Sequence, residues 1–186
     1  NKVLAITFTN KAAREMKERV EALLGDVAKA VTISTIHSFC VRLLREDILE
    51  LGYPRNFTIL DSDDQKSILR DAYKQMHIDV KSYSYNSVLS YISNNKTNFI
   101  DAAMAKASAG KWAGEQIKAD VYEFYEKRLK EMYALDFDDL LIFAYRILKN
   151  NEEIRAKWQR RFNYLHVDEF QDVDNPQYAI IKLLVK

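Results

Sequence analysis

Val3-Leu4-Ala5-Ile6-Thr7-Phe8 is a short apolar run rich in strand formers, and Thr9-Asn10 breaks it. That pattern predicts a buried parallel strand. From Ala12 the period changes. Ala12, Met16, Val20 and Leu24 recur every four residues, with Lys11, Arg14, Lys17 and Glu18 on the other face and Gly25 as a C-terminal stop. A second strand, Ala30 to Thr35, leads through Ile36-His37-Ser38 into a helix whose stripe is Phe39, Cys40, Leu43, Leu44 and Ile48, ending near Gly52-Tyr53-Pro54. Strand, helix, strand, helix is the rhythm of a parallel α/β layer.

The middle of the chain abandons that rhythm. From about Phe57 to Leu135 helical stripes recur without a convincing buried strand. Ser62 to Gln65 fits a capping box opening a helix with Ile68, Leu69, Ala72 and Met76. Residues 81–98, dense in Ser, Asn and Tyr, predict short helices and loops, and Val121, Phe124, Tyr125, Leu129 and Met132 mark another helix. The α/β pattern then resumes. Asp136 caps a helix bearing Leu140, Leu141, Ala144, Ile147 and Leu148, and Ile154 and Trp158 belong to a second. Tyr164-Leu165-His166-Val167 is a third strand closing on Asp168-Glu169, and Asn175-Pro176 starts the last helix with proline at its first position. The expected organisation is an α/β domain from residues 1–56 and 136–186, with an inserted all-helical subdomain at 57–135.

Composition narrows the classes. With 48% hydrophobic residues and a net charge of +1, the 186-residue chain can bury a core and is neither disordered nor a polybasic arm. One cysteine excludes a disulfide framework, and three histidines leave little for a zinc cluster. Apolar runs of about six residues fall far short of a membrane span, so no membrane partner and a cytoplasmic, reducing setting are expected. The chain opens at Asn1-Lys2 without a methionine and stops at Lys186 inside a helical pattern, which predicts a piece of a longer protein.

In open parallel sheets, ligands bind outside the carboxyl ends of the strands. Those ends carry Thr7-Phe8-Thr9-Asn10, Ser34-Thr35-Ile36-His37-Ser38 and Asp168-Glu169-Phe170-Gln171-Asp172. Hydroxyls, an amide and an imidazole suit phosphate and sugar contacts. Adjacent carboxylates suit a hard cation such as Mg²⁺ and activation of a water. Taken singly, each cluster also has a plainer role: Thr and Asn as helix caps, His37 and Phe8 as packing residues, Asp168-Glu169 as a solvated loop.

Four segments together resemble superfamily 1 helicases of the UvrD/Rep/PcrA type. Ala5-Ile6-Thr7-Phe8-Thr9-Asn10-Lys11-Ala12-Ala13-Arg14-Glu15-Met16 is similar to the motif that follows their P-loop segment, and Thr32 to Cys40 to the next one. Leu135 to Leu141 and Val167 to Asp172 are similar to two more, the last being their Walker B variant. The resemblance implies an incomplete RecA-like (P-loop NTPase) parallel sheet with the helical insertion. It also implies ATP-driven, usually 3′-to-5′ translocation on single-stranded DNA up to a duplex junction, with DNA repair among the processes such motors serve. By that resemblance Asp168 is the Mg²⁺ ligand, Glu169 the base orienting the attacking water and Gln171 a sensor near the γ-phosphate of ATP. Phe8 is the aromatic stacking on a DNA base, while Thr9, Asn10, Thr35 and His37 contact the DNA backbone. Ser34 and Ile36 stand where Gly and Phe are usual, and Val173-Asp174 where Thr-Asn is common.

No G-x-x-x-x-G-K-[ST] loop is present. The glycines are Gly25, Gly52, Gly110 and Gly114, and Gly110-Lys111 runs on into Trp112. The chain alone is therefore expected to hydrolyse no ATP, and to be marginally stable or to self-associate through an exposed sheet edge. Three other classes remain: a non-catalytic DNA- or protein-binding module, a nuclease using Asp168, Glu169 and Asp172, and the motor subunit of a helicase–nuclease complex. Cys40 and His37 share a helical face, where a buried structural cysteine outweighs a thiol–imidazole pair. Tyr83, Tyr85 and Tyr91 serve packing as readily as base stacking.

Overall fold

The computed structural model describes residues 2–110 and 112–185. Asn1, Lys111 and Lys186 lie outside the described residues. The chain divides into two compact units, Asn1–Arg55 with Phe143–Lys186, and Asn56–Ile142.

The first unit is α/β. Its strands β1 (Val3–Thr7), β2 (Val31–Thr35) and β5 (Tyr164–Val167) form a parallel sheet in the order β2-β1-β5. Register pairs Thr7 with Thr35 on one side of β1 and Ile6 with Val167 on the other. Only the central strand is fully packed: Leu4, Ala5, Ile6 and Thr7 are buried, whereas Tyr164 and His166 of β5 are exposed. Helix α1 (Asn10–Leu24) joins β1 to β2, starting two residues before its apolar stripe because Thr9 accepts from the Ala12 N–H. It ends at Gly25, whose φ of 55° is a conformation glycine adopts without strain. None of its residues is fully buried, and Leu23 is 82% exposed.

Helix α2 (Ile36–Asp47) buries Ile36, Phe39, Cys40, Leu43 and Leu44, then tightens into a 3₁₀ turn, Ile48–Leu51, before Gly52. It is fastened to α8 (Glu152–Arg161). Asp47 accepts from Lys157 Nζ at 2.5 Å and from Trp158 Nε1 at 2.7 Å, and Arg161 grips Glu46 through both terminal nitrogens. Trp158 is wholly buried and meets Phe39 edge-on at 5.5 Å. Helix α9 (Asn175–Leu184) is capped by Asp174, which places Pro176 second in the helix rather than first.

The second unit departs from its expected all-helical character. Thr58–Ile59 (β3) and Ala134–Leu135 (β4) pair as two-residue parallel strands, too short to show a period in sequence. Around them lie α3 (Ser62–Met76), α4 (Tyr85–Thr97), α5 (Ala102–Ser108), α6 (Ala113–Glu131) and the start of α7 (Phe137–Asn150). The capping box that opens α3 uses Asp61 and Asp64, one residue earlier than Ser62 and Gln65, because carboxylates accept more strongly than a serine hydroxyl. Residues 85–97 form one continuous helix rather than short pieces; Val88 and Ile92 give it a buried edge that outweighs its Ser and Asn content. Tyr83, Tyr85 and Tyr91 pack against the core of this unit.

Candidate functional site

Three parallel strands must release their chains at the same edge of the sheet. The exits of β1, β2 and β5 therefore lie along one rim, and the eight residues singled out from the sequence are brought to it. Phe8 is half-buried; Thr9 and Asn10 are exposed, with Asn10 the first residue of α1. Thr35 is buried and caps α2, and His37, the second residue of that helix, is half-buried. Asp168, Glu169 and Gln171 are all exposed.

The two threonines work as caps. Thr9 Oγ1 accepts from the Ala12 N–H at 3.1 Å. Thr35 Oγ1 accepts from the Ser38 N–H at 3.2 Å and donates to Ser38 Oγ at 2.9 Å, so its hydroxyl is already engaged in both senses. Capping does not remove the site. It fixes two helix N-termini at the rim, and the amides and partial positive charge of such ends attract phosphate. Burial holds the His37 imidazole below its ordinary pKa, with the Asp174 charge opposing, so the ring is neutral near pH 7.

The acidic end is built differently. Asp168 continues the ladder, its N–H donating to the Ile6 carbonyl at 2.9 Å, and its Oδ1 accepts from the Glu169 N–H at 3.0 Å. Glu169 is left-handed, with φ 48° and ψ 44°, a conformation costing a residue with a Cβ roughly 1–2 kcal/mol. A 3₁₀ turn, Phe170–Asp172, follows. Two exposed carboxylates after a strand fit one protein ligand to a phosphate-bound Mg²⁺ and a base beside it; the phosphate cradle itself has no counterpart in this sequence. Among the described residues no three His, Cys, Asp or Glu side chains converge as a metal cage would require, and Asp168, Glu169 and Asp172 are no exception. Cys40 is wholly buried and burial pushes its thiol far up, so it forms no reactive pair with His37. Ser34 Oγ is buried with no hydrogen-bond partner among the described residues.

A second polar cluster, in the other unit, was not foreseen. Lys96 Nζ lies 2.7 Å from Asp136 Oδ2 and 2.7 Å from Asp139 Oδ1, and all three are buried. Tyr125 donates to Asp136 at 2.9 Å and Gln65 to Tyr125 at 2.9 Å. Asp136 and Asp139 also cap α7 reciprocally, the Asp139 N–H reaching Asp136 Oδ1 at 2.9 Å and the Asp136 N–H reaching Asp139 Oδ2 at 3.2 Å. Burial alone would pull the Lys96 ammonium down; the two carboxylates outweigh it and raise it. For Asp136, burial pushes upward but the Lys96 charge and hydrogen bonds win, holding it low. Asp139 is raised, by burial first and then by Asp136, because one lysine cannot neutralise two carboxylates. The sequence held one signal: Lys96 is the sole charged residue between Ser82 and Asn98.

The parallel sheet, with helix N-termini at two of its exits and an acidic pair at the third, makes the first unit an α/β domain. The UvrD/REP helicase N-terminal domain family matches residues 1–186, and the chain belongs to that family. It is 45% identical over 182 residues to the ATP-dependent DNA helicase PcrA of Staphylococcus aureus (strain Mu50), covering 98% of this chain and 25% of that protein. It is 44% identical over 184 residues to the ATP-dependent DNA helicase PcrA of Bacillus subtilis (strain 168), covering 99% and 25%. The chain thus spans about a quarter of the length of these relatives. No described helix is long and apolar enough to cross a membrane.

Proposed function

We propose that this chain is the first motor segment of an ATP-dependent DNA helicase that translocates 3′ to 5′ on single-stranded DNA, with residues 1–56 and 136–186 forming a partial RecA-like domain and 57–135 its insertion. The observation that supports this reading is the shared edge of β2, β1 and β5, because the strand exits that carry the motif residues Phe8–Asn10, Thr35–His37 and Asp168–Gln171 lie along it. Phe8 stacks on a base, a contact worth roughly 1–3 kcal/mol and indifferent to sequence. Asn10 and His37, in the first turns of α1 and α2, together with Thr9 and Thr35 at the caps of those helices, meet the phosphates. Asp168 holds Mg²⁺ beside the nucleotide, Glu169 orients the attacking water, and Gln171 senses the γ-phosphate.

The test uses the full-length protein that carries this segment. Single-stranded DNA is expected to stimulate ATP turnover, Glu169→Gln to abolish it, and Phe8→Ala to weaken DNA binding about ten-fold or more. Turnover unaffected by Glu169→Gln overturns the reading, and unwinding of a 5′-tailed but not a 3′-tailed duplex overturns the polarity. The 186-residue chain alone is expected to hydrolyse no ATP, for want of a phosphate cradle; turnover that Glu169→Gln removes would refute that. The exposed flank of β5 further supports concentration-dependent self-association of the isolated chain, which light scattering across a dilution series checks.

A further inference from the structure

We propose that Thr7 is the positioning residue that couples the nucleic-acid side of the rim to its acidic side, an inference that rests on the reading of the rim given above. Thr7 is level with Thr35 in the sheet register. On its other flank the ladder runs one step beyond Val167, through the Asp168 N–H on the Ile6 carbonyl, and so brings Asp168 level with Thr7. Residues level across a parallel sheet share a face. Thr35, Thr7 and Asp168 therefore make a lateral row across the last step of the sheet, with Thr7 in the centre.

Thr7 is also tied forward along the chain. It is completely buried, whereas the next residues rise to the surface as Phe8, half-buried, and Thr9, exposed. Its hydroxyl donates across Phe8 to the Thr9 carbonyl at 3.3 Å, and the same carbonyl accepts from the Ala13 N–H at 3.0 Å. A single oxygen thus receives both the end of β1 and the first turn of α1. The bond closes the turn that presents Phe8 and holds the α1 N-terminus to a strand whose neighbour ends in Asp168. A shift of Asp168 as its ligand changes moves β1 through the ladder, and the Thr7 bond carries that displacement to Phe8 and Asn10. Valine has the shape of threonine without the donor, so packing and coupling separate in one substitution.

The experiment compares wild type, Thr7→Val, Thr7→Ser and Thr7→Ala in the full-length protein. Its readouts are single-stranded DNA affinity with and without a non-hydrolysable Mg·ATP analogue, the ratio of DNA-stimulated to basal ATP turnover, and thermal melting. Expected are a loss of DNA affinity of roughly three- to ten-fold in Thr7→Val, the scale of one hydrogen bond, a smaller response of that affinity to the analogue, and restoration by Thr7→Ser. Thr7→Val with wild-type affinity and stimulation overturns the proposal, as does a Thr7→Ser variant no better than Thr7→Val. Loss of cooperative melting in both Thr7→Val and Thr7→Ala assigns Thr7 to the core alone and overturns it as well. A wild type that single-stranded DNA does not stimulate sinks the reading of the rim, an outcome recognisable without any Thr7 variant.

Discussion

Asp136 and Asp168 each follow immediately on a parallel strand, and each is joined within three residues by a second carboxylate, yet their surroundings are opposite. Asp136 and Asp139 are buried around Lys96, with a tyrosine, a glutamine amide and two backbone amides also donating to them. Asp168 and Glu169 face solvent, one capping its own neighbour and the other held in a left-handed backbone. The contrast separates acids that finish a fold from acids left open to solvent. The first pair acquired its cation from 40 residues away in the chain; the second has none among the described residues, and solvent can reach it. Adjacent carboxylates at a strand end are therefore ambiguous until the cations nearby are counted.

The sharpest break in the comparison is to remove that cation. Lys96→Met leaves two carboxylates buried without their partner, and the chain is expected to lose roughly 3–5 kcal/mol of stability in urea denaturation. Replacing Lys96, Asp136 and Asp139 together by apolar residues of similar volume is expected to recover most of that loss. Neutralising Asp168 and Glu169 as the amides, by contrast, leaves stability within about half a kcal/mol. A Lys96→Met chain as stable as wild type removes the distinction between the two pairs.

The pH response sharpens it further. Asp139 is raised in the folded chain by burial and by the already ionised Asp136, so between the ordinary carboxylate range near 4 and neutrality the folded state binds more protons than the unfolded state. Its contribution is full below the ordinary value and is lost as pH rises through the raised one. Asp136, held low, behaves oppositely, its contribution falling away only in stronger acid. Wild type is therefore expected to gain stability relative to Asp139→Asn as pH falls from neutrality toward the ordinary carboxylate range, measured as paired denaturation midpoints. A difference independent of pH breaks the assignment.

Legibility in the sequence followed the range of the interactions. β1 and β5 were readable because a strand's pattern is set by its own residues, and so was the rim, because a parallel sheet sends all its exits the same way. The two-residue strands β3 and β4 were not, since two residues display no period. Residues 85–97 looked too polar for one helix because the packing of Val88 and Ile92 is tertiary. Asp136 was legible as a cap, and Asp136 and Asp139 as part of a motif, but Lys96 could be joined to them only through the fold. Ser34 was marked as a departure from glycine; its orphaned hydroxyl is a property of the packed sheet. Ser34→Ala is accordingly expected to stabilise the chain by roughly 1–2 kcal/mol, the cost of an unsatisfied buried hydroxyl, and a loss in urea denaturation would show that the hydroxyl has a partner.

The smallest effect bears on the other half of the comparison, the claim that the exposed pair is held at some cost. Glu169 has the backbone of a glycine, with φ 48°, and nothing in its exposed side chain compensates for it. Glu169→Gly is expected to raise stability by roughly 1 kcal/mol, the relief of a left-handed residue less the extra freedom glycine gives the unfolded chain. Glu169→Ala separates backbone from side chain: alanine keeps the Cβ, so it is expected to gain nothing while removing the carboxylate just as completely. A gain in Glu169→Gly alone, read as paired urea midpoints, locates the strain in the backbone that presents the carboxylate. Equal gains in both variants locate it instead in repulsion from Asp168, and the rim then differs from the buried cluster only in lacking a lysine.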